Sequence, residues 1–209
     1  MERQVEAAHY EFDRYMSRAR WMSVWHQVSI LTKIKSVRVL EIGPGPGILK
    51  AIMNALGHKV ETLDIDPKLN PDYVCSAADM PFGKGEFDAA CAFQVLEHMP
   101  FDVSLKVLRE MCRVVTDSVV ISLPDARMCW SSSIRLPLVR PLYLMFENPF
   151  FIPAAHEFDG EHYWEINKKG FELDFVCHSL RENALGFDMR TYRLRENPYH
   201  RFFVFKRSV

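Results

Sequence analysis

Short apolar runs alternate with amphipathic stretches along most of the chain. The apolar runs predict strands at 37–42, 60–63, 73–75, 87–93 and 119–123, and near 188–194 and 201–206. The amphipathic stretches predict helices at 4–33, 48–56, 102–115 and 168–184. Strands that alternate with helices are typical of βαβ units. We therefore expect an α/β fold with a mostly parallel seven-stranded sheet, helices on both faces and a C-terminal antiparallel hairpin.

Residues 125–165 interrupt this alternation after the fifth strand. They contain many aromatic residues and Pro137, Pro141, Pro149 and Pro153, which is typical of a lid-like insertion. Residues 1–36 are predicted as a helical cover over the ligand site. The length of 209 residues then favours a single domain, 1–209.

Charge and cysteine content narrow the function classes. Lys and Arg total 26 against 27 Asp and Glu, so no basic face is expected and nucleic acid is not a predicted partner. The five cysteines form no CxxC pair, which disfavours a zinc site or disulfide framework and favours a cytoplasmic location. No apolar run is long enough to cross a bilayer. Contact of 135–153 with a membrane surface, and assembly into a homo-oligomer, are left open.

The strongest local signal is a glycine-rich turn between the first strand and the next helix, with the sequence VLEIGPGPG at 39–47. Gly43, Gly45 and Gly47 are spaced GxGxG, whereas dinucleotide-binding turns favour GxGxxG. Pro44 and Pro46 remove backbone donors that a pyrophosphate would need. The turn therefore favours a ligand without phosphates, and a tight turn with no ligand is the alternative.

A carboxylate follows the second strand, where a ribose-binding residue is expected. Asp64 comes directly after the apolar run 60–63, and its two oxygens can accept hydrogen bonds from both hydroxyls of a ribose. The alternative is a helix-capping role. Together, the turn and Asp64 favour a nucleoside-containing ligand.

The segments VLEIGPGPG, LDIDP, ADMPF and EFDAACAFQVLEHMP, in this order, resemble class I S-adenosylmethionine-dependent methyltransferases. Within them, the group related to ubiquinone-biosynthesis enzymes is the most similar. The resemblance covers residues 37–124, with a weaker similarity at 168–206. It implies a Rossmann-like sheet, S-adenosylmethionine as cofactor and methyl transfer, but it does not identify the acceptor.

The resemblance also implies roles for residues of the first two strands. Glu41 would orient the turn and contact the methionine ammonium of the cofactor. Gly43 and Gly45, in the turn that Gly47 closes, would pass under the methionine and ribose. Asp64 would hold the ribose, and Ile65 would cover one face of the adenine.

Further along the chain the match to the family is less regular. The family usually places an acidic residue on the adenine amine, but this sequence has Ser76 and Ala77 there. Asp79 is the alternative partner, or else a turn residue. Phe93 and Gln94 would lie near the sulfonium methyl group.

Histidines are the candidates for a catalytic base. His98 follows the fourth strand, while His156 and His162 lie in a segment that also contains Glu157, Asp159, Glu161 and Glu165. We predict that His162, or His156 in its place, contacts the acceptor. The alternative is a hydrogen-bonded loop, and no metal site is predicted because the cluster lacks ordered spacing. Five histidines without a surrounding motif are interpreted as structural or surface residues: His9, His26, His58, His178 and His200.

The functional prediction is methyl transfer to a small-molecule acceptor, at oxygen. A protein or tRNA methyltransferase is the alternative within enzymes. A cofactor-binding scaffold or regulator without activity is the alternative from another class.

Overall fold

The computed structural model describes residues 16–34, 38–134, 136–138 and 142–208. Residues 4–15 of the predicted first helix, and Val37 of the predicted first strand, lie outside the described residues. The first described helix is α1 (Arg18–Lys33), whose N-terminus is capped by the Ser17 side chain. None of the helices in the described part of the chain is long and apolar enough to cross a bilayer.

The elements follow in the predicted order. The strands are β1 (Arg38–Ile42), β2 (Lys59–Asp64), β3 (Tyr73–Val74), β4 (Phe87–Phe93), β5 (Val115–Pro124), β6 (Cys129–Ile134), β7 (Leu142–Glu147), β8 (Phe187–Arg193) and β9 (His200–Arg207). The further helices are α2 (Ile48–Ala55), α3 (Phe101–Val114) and α4 (Leu173–Asn183), with short 3-10 helices at Pro67–Leu69 and Leu96–His98.

Seven strands form one sheet in the order β3-β2-β1-β4-β5-β9-β8, which confirms the predicted fold class. The first five strands are parallel, and β9 pairs antiparallel with both β5 and β8. Strands β1 and β4 are neighbours, and the strands that follow them in sequence, β2 and β5, extend the sheet in opposite directions. Open α/β sheets bind ligands at this switch point, beyond the carboxyl ends of the strands.

The two faces of the sheet are covered by different helices. Leu40 and Ile42 of β1 face a core that includes residues of α3 and α4. Val39 faces the opposite core, with residues of α1 and α2. Because side chains alternate along a strand, Glu41 lies on the same face as Val39 and is buried there.

Three parts of the chain differ from the prediction. Strand β5 begins at Val115 instead of 119, directly after α3 ends at Val114. Helix α4 begins at Leu173 instead of 168, because residues 168–171 form a turn in which the Phe171 backbone N–H bonds to the Lys168 carbonyl. The insertion contains a β-hairpin, β6–β7, whose strands pair with no other strand in the described part of the chain. The hairpin exposes apolar side chains such as Trp130 and Phe146. Sequence periodicity did not predict these two strands, because a strand pair exposed on its surface lacks the alternation of a half-buried one.

A buried ionic network anchors both ends of the insertion. Asp125, at its start, accepts hydrogen bonds from Arg201 Nε at 2.7 Å and from Asn167 Nδ2 at 2.8 Å. The Asp125 side chain is fully buried, and Arg193 lies 3.5 Å from the same carboxylate. The segment that follows the hairpin is therefore held against the carboxyl edge of the sheet.

Candidate active site

The glycine-rich turn joins β1 to α2 at this carboxyl edge. Gly43, Gly45 and Gly47 have φ values of 66°, 52° and 74°, in the left-handed region that favours glycine. At Gly43 a Cβ atom would lie 2.6 Å from Val95 Cγ2, so a side chain would collide with the loop after β4. The absence of a side chain lets the two loops pack closely, with a cavity on either side of Gly43.

The first cavity, of about 520 Å³, lies between the turn, the end of β4 and α1. It brings together Glu41, Gly43, Phe93 and Gln94 from the predicted site. Its other lining residues are Met16, Arg20, Val24, Gln27, Pro44, Pro46, Ile48, Leu49 and His200. Helix α1 thus forms one wall of the cavity, whereas none of the described residues of the insertion lines it.

Glu41 is a buried carboxyl group at this cavity. Its Oε2 atom is buried without a hydrogen-bond partner among the described residues. Burial raises the pKa of Glu41 to about 8, and the positive charge of Lys50 only partly opposes this. An unpaired buried carboxyl group is costly, and a cationic group in the cavity would relieve that cost.

Gln94 occupies an unusual backbone conformation at the end of β4. Its φ is 57°, which is uncommon for a residue with a side chain. The conformation is held by bonds to Ser122, whose carbonyl accepts from the Gln94 backbone at 3.0 Å and whose hydroxyl lies 3.2 Å from Nε2. Strained conformations of this kind concentrate at functional sites.

His200 also lines the first cavity, although it was interpreted from sequence as structural or surface. It is buried, and its Nδ1 atom has no hydrogen-bond partner within the described chain. Burial, assisted by the charge of Arg20, lowers the pKa of His200 to about 4, so the ring is neutral at physiological pH. The sequence contained a signal for this position. His200 immediately precedes the predicted last strand, and the first residue of an antiparallel strand beside β5 lies at the carboxyl edge of the parallel strands.

The second cavity, of about 410 Å³, lies on the other side of Gly43. It brings together Gly43, Asp64, Ile65, Ser76 and Ala77 from the predicted site. The remaining lining residues are mostly apolar: Ile42, Leu63, Cys75, Ala78, Val95, Met99 and Val107.

Asp64 is the carboxylate of this second cavity. Its Oδ1 atom accepts a hydrogen bond from the Asp66 backbone at 2.8 Å, and burial raises its pKa. Three of the predicted cofactor-binding residues lie elsewhere in the described structure. Gly45 and Gly47 occupy the turn without lining either cavity, and Asp79 is exposed in the turn after Ser76.

The predicted histidines lie beyond β4, and two of them come together. The rings of His98 and His162 are 5.0 Å apart. His98 Nδ1 bonds to the Glu161 carbonyl at 2.9 Å, and His162 Nδ1 bonds to the Glu165 carboxylate at 2.7 Å. The ring of His156 instead bonds to the backbone carbonyl of His162 at 2.8 Å, which supports the loop.

Glu97 completes this group, although sequence reasoning did not identify it. The residue precedes His98 in a 3-10 helix, is completely buried, and has no hydrogen-bond partner for either side-chain oxygen among the described residues. Burial raises the pKa of Glu97 to about 8. The charge of Arg20, which lines the first cavity, also acts on Glu97, so the two sites are close.

The segment 156–165 is held in place by its own packing. Trp164 is buried, and its indole N–H donates to Ser104 Oγ at 3.2 Å. The Tyr163 backbone N–H donates to the Glu97 carbonyl at 2.8 Å. Tyr199 donates to the Glu165 carboxylate at 2.6 Å, so the partner of His162 is itself fixed.

Comparison with known proteins identifies the class. A family model of the methyltransferase domain matches residues 12–181. The chain therefore belongs to the methyltransferase-domain family, and the resemblance to class I S-adenosylmethionine-dependent methyltransferases is confirmed. The narrower resemblance to ubiquinone-biosynthesis enzymes stays a prediction.

Solved structures share the fold at low sequence identity. The 1,6-didemethyltoxoflavin-N1-methyltransferase of Burkholderia thailandensis, solved with 1,6-didemethyltoxoflavin and S-adenosylhomocysteine, aligns with a TM-score of 0.62 and 15% identity. The alignment covers 97% of this chain and 85% of that one. The magnesium protoporphyrin IX methyltransferase of Synechocystis, with S-adenosylmethionine bound, aligns with a TM-score of 0.59 and 15% identity, over 97% and 90%. No curated protein matches the chain in sequence.

Proposed function

We propose that this chain transfers a methyl group from S-adenosylmethionine to an oxygen atom of a small-molecule acceptor. The observation that carries the proposal is the pair of cavities that meet at Gly43. One contains an unpaired buried carboxyl group, Glu41, and the other combines the carboxylate of Asp64 with an apolar lining. These chemistries match the two ends of a nucleoside joined to an amino acid.

The residues of the two cavities match the ammonium, ribose and adenine groups of the cofactor. Glu41 would accept the methionine ammonium, which supplies the cation that its buried oxygen lacks. Asp64 would accept hydrogen bonds from the ribose hydroxyls. Ile65 and Ala77 would contact the adenine in the apolar cavity, and Ser76 would replace the acidic residue of the family with a hydroxyl.

The reacting centre then belongs in the first cavity, beside Phe93, Gln94 and His200. The bound cofactor supplies an electrophilic methyl group on a positively charged sulfur. Because the sulfur leaves as a neutral thioether, the protein contributes mainly by positioning the acceptor in line with that bond. Helix α1 would exclude water from the wall of the cavity, which strengthens the electrostatics of the site.

Methylation at oxygen is supported by the group of Glu97, His98 and His162. A hydroxyl acceptor must lose its proton, and these are the side chains beyond β4 that are suited to promote that loss. Burial lowers the pKa values of both His200 and His98, whereas the pKa of His162, which bonds to the Glu165 carboxylate, is raised. We therefore assign acceptor activation to His162, with His98 beside it, and loop support to His156.

The balance of charges favours a small-molecule acceptor over a nucleic acid. The formal net charge is −1, so no excess of basic residues is available for a nucleic acid acceptor. The exposed apolar hairpin β6–β7 offers a surface for a lipophilic acceptor, a membrane or a second subunit, outside the cofactor site.

Calorimetry with S-adenosylhomocysteine and with NAD tests the cofactor assignment. We expect micromolar-scale binding of S-adenosylhomocysteine and none of NAD. Binding of NAD with no response to S-adenosylhomocysteine would overturn the proposal. Incubation with isotope-labelled S-adenosylmethionine and a small-molecule extract tests the acceptor, because the chemical shift of the transferred methyl carbon separates methoxy products from N-methyl products.

A further inference from the structure

We propose that Glu97, His98 and His162 bind a divalent transition-metal cation of the zinc class. One ligand atom from each residue lies within 4.8 Å of the other two. This distance is short enough for a single ion to bind all three after small side-chain adjustments. Two imidazoles and one carboxylate form a known set of ligands for catalytic zinc. Because the three residues come from two distant segments, the sequence gives no spacing that would reveal the site.

Both histidines are already oriented as metal ligands. Their Nδ1 atoms face hydrogen-bond acceptors, the Glu161 carbonyl for His98 and the Glu165 carboxylate for His162. A neutral ring whose Nδ1 carries the proton presents an unprotonated Nε2, which is the form that binds a metal. Metal-bound histidines usually donate their other ring nitrogen to a carboxylate or a carbonyl, and both arrangements occur here.

The carboxylate of Glu97 provides a second, independent observation. Its side chain is completely buried, yet both oxygens are without a hydrogen-bond partner in the described part of the chain. Buried polar groups are almost always paired, because an unpaired one pays the full cost of desolvation. A cation between Glu97 and the two rings would supply the missing partner for the carboxylate.

The location suggests what the cation does, and this step rests on the proposed function. Three protein ligands leave a fourth position open, and Glu97 follows Gln94 of the cofactor-side cavity by three residues. We infer that an acceptor hydroxyl occupies this position, where the cation lowers its pKa and its proton passes to water. The resulting alkoxide oxygen forms the new bond to the methyl carbon, while the carbon–sulfur bond breaks and its electron pair stays on the neutral thioether.

Metal titration of the full chain tests the site. Protein treated with EDTA and returned to buffer is titrated with Zn²⁺ by calorimetry and with Co²⁺ by visible absorption. We expect one equivalent of each metal and a Co²⁺ spectrum typical of nitrogen and oxygen ligands. Glu97→Gln, His98→Gln and His162→Gln should each weaken metal binding by on the order of 10²-fold or more. Glu165→Gln, which removes the support of His162, should weaken it by about 10–100-fold.

His178→Gln is the matched control, because the His178 side chain is exposed on the surface of α4 and pairs only with nearby Glu182 among the described residues. It should leave metal affinity unchanged. Wild-type protein that takes up no metal, or the three ligand variants binding like the control, would overturn the proposal. Circular dichroism and S-adenosylhomocysteine binding confirm that each variant is folded. Wild-type protein that binds S-adenosylhomocysteine but takes up no metal would refute the metal site alone, whereas wild-type protein that does not bind S-adenosylhomocysteine would refute the proposed function.

A small chelator tests whether the fourth coordination position of the metal is open. Acetohydroxamate, a small chelator that binds metals through its oxygen atoms, should change the Co²⁺ spectrum of the wild-type protein. It should change the spectrum of His178→Gln to the same extent. A spectrum that does not respond would mean a closed site, and would overturn the role of the cation in activating an acceptor.

Discussion

The proposed contact between Glu41 and the methionine ammonium predicts that cofactor binding depends on pH. The pKa of Glu41 is raised to about 8 by burial, so below that pH the carboxyl group is mostly protonated in the cofactor-free protein. An ammonium group binds best to the ionised carboxylate. Binding must therefore be accompanied by release of a proton, and affinity should rise with pH.

The size of the effect follows from the pKa. At pH 7 a carboxyl group with a pKa of about 8 is ionised in about one molecule in ten, and ionising the rest costs about 1.4 kcal/mol. The dissociation constant of S-adenosylhomocysteine should therefore fall about tenfold between pH 6 and pH 7. Glu41→Gln cannot ionise, so it should bind more weakly at pH 8, by about 1–3 kcal/mol, and show no such slope.

Calorimetry between pH 6 and pH 7.5, in buffers with different ionisation enthalpies, measures both the affinity and the released proton. Glu61→Gln is the control, because Glu61 is also buried on a neighbouring strand but is paired with Arg38, which holds its pKa low. A wild-type affinity that is flat over this range, or an equal slope in Glu41→Gln, would refute the assignment of Glu41 to the ammonium.

Protein stability gives a second readout of the same carboxyl group. Because the folded pKa of Glu41 lies above its ordinary value of 4.5, its contribution to stability is complete below pH 4.5 and is lost as the pH rises through 8. At pH 7 that loss is about 3 kcal/mol. In the absence of cofactor, Glu41→Gln should therefore be more stable than the wild type at pH 7, with a smaller difference at pH 5. Urea unfolding at the two pH values checks this.

Three further variants, two of them with a control variant, test the remaining parts of the structure. Asp64→Ala should weaken S-adenosylhomocysteine binding by about 1–3 kcal/mol in calorimetry, and an unchanged affinity would remove Asp64 from the ribose site. Gly43→Ala should abolish detectable binding, because its Cβ would collide with Val95, whereas Gly57→Ala, which has open space at a similar φ, should cost only stability. Asp125→Ala should lower the free energy of unfolding by about 3–5 kcal/mol in urea, since it leaves buried arginine charges unpaired. Asp117→Ala, at an exposed pair with Lys206, should cost less than about 1 kcal/mol.

The sequence by itself predicted the sheet, which the structure confirms, and the residues that we assign to the cofactor. Alternating strands and helices specify a parallel sheet, and the GxGxG turn and Asp64 follow directly after β1 and β2. Both signals are local, because a strand end and the residue after it are adjacent in the chain. Parallel strands then bring those residues to one edge, which is why Gly43 and Asp64 could be named from the local pattern, whereas the role of Glu41 was implied only by the family resemblance.

Only the tertiary structure revealed the residues that we propose for the acceptor side. Glu97 and His98 meet His162 because the segment after the insertion folds back onto the 3-10 helix, with Trp164 and Asp125 as anchors. His200 reaches the first cavity because β9 runs antiparallel to β5. Such contacts join residues far apart in the chain and depend on burial, which also raises the pKa values of Glu41 and Glu97. No spacing in one sequence encodes burial, so these groups could be recognised only once the chain was folded.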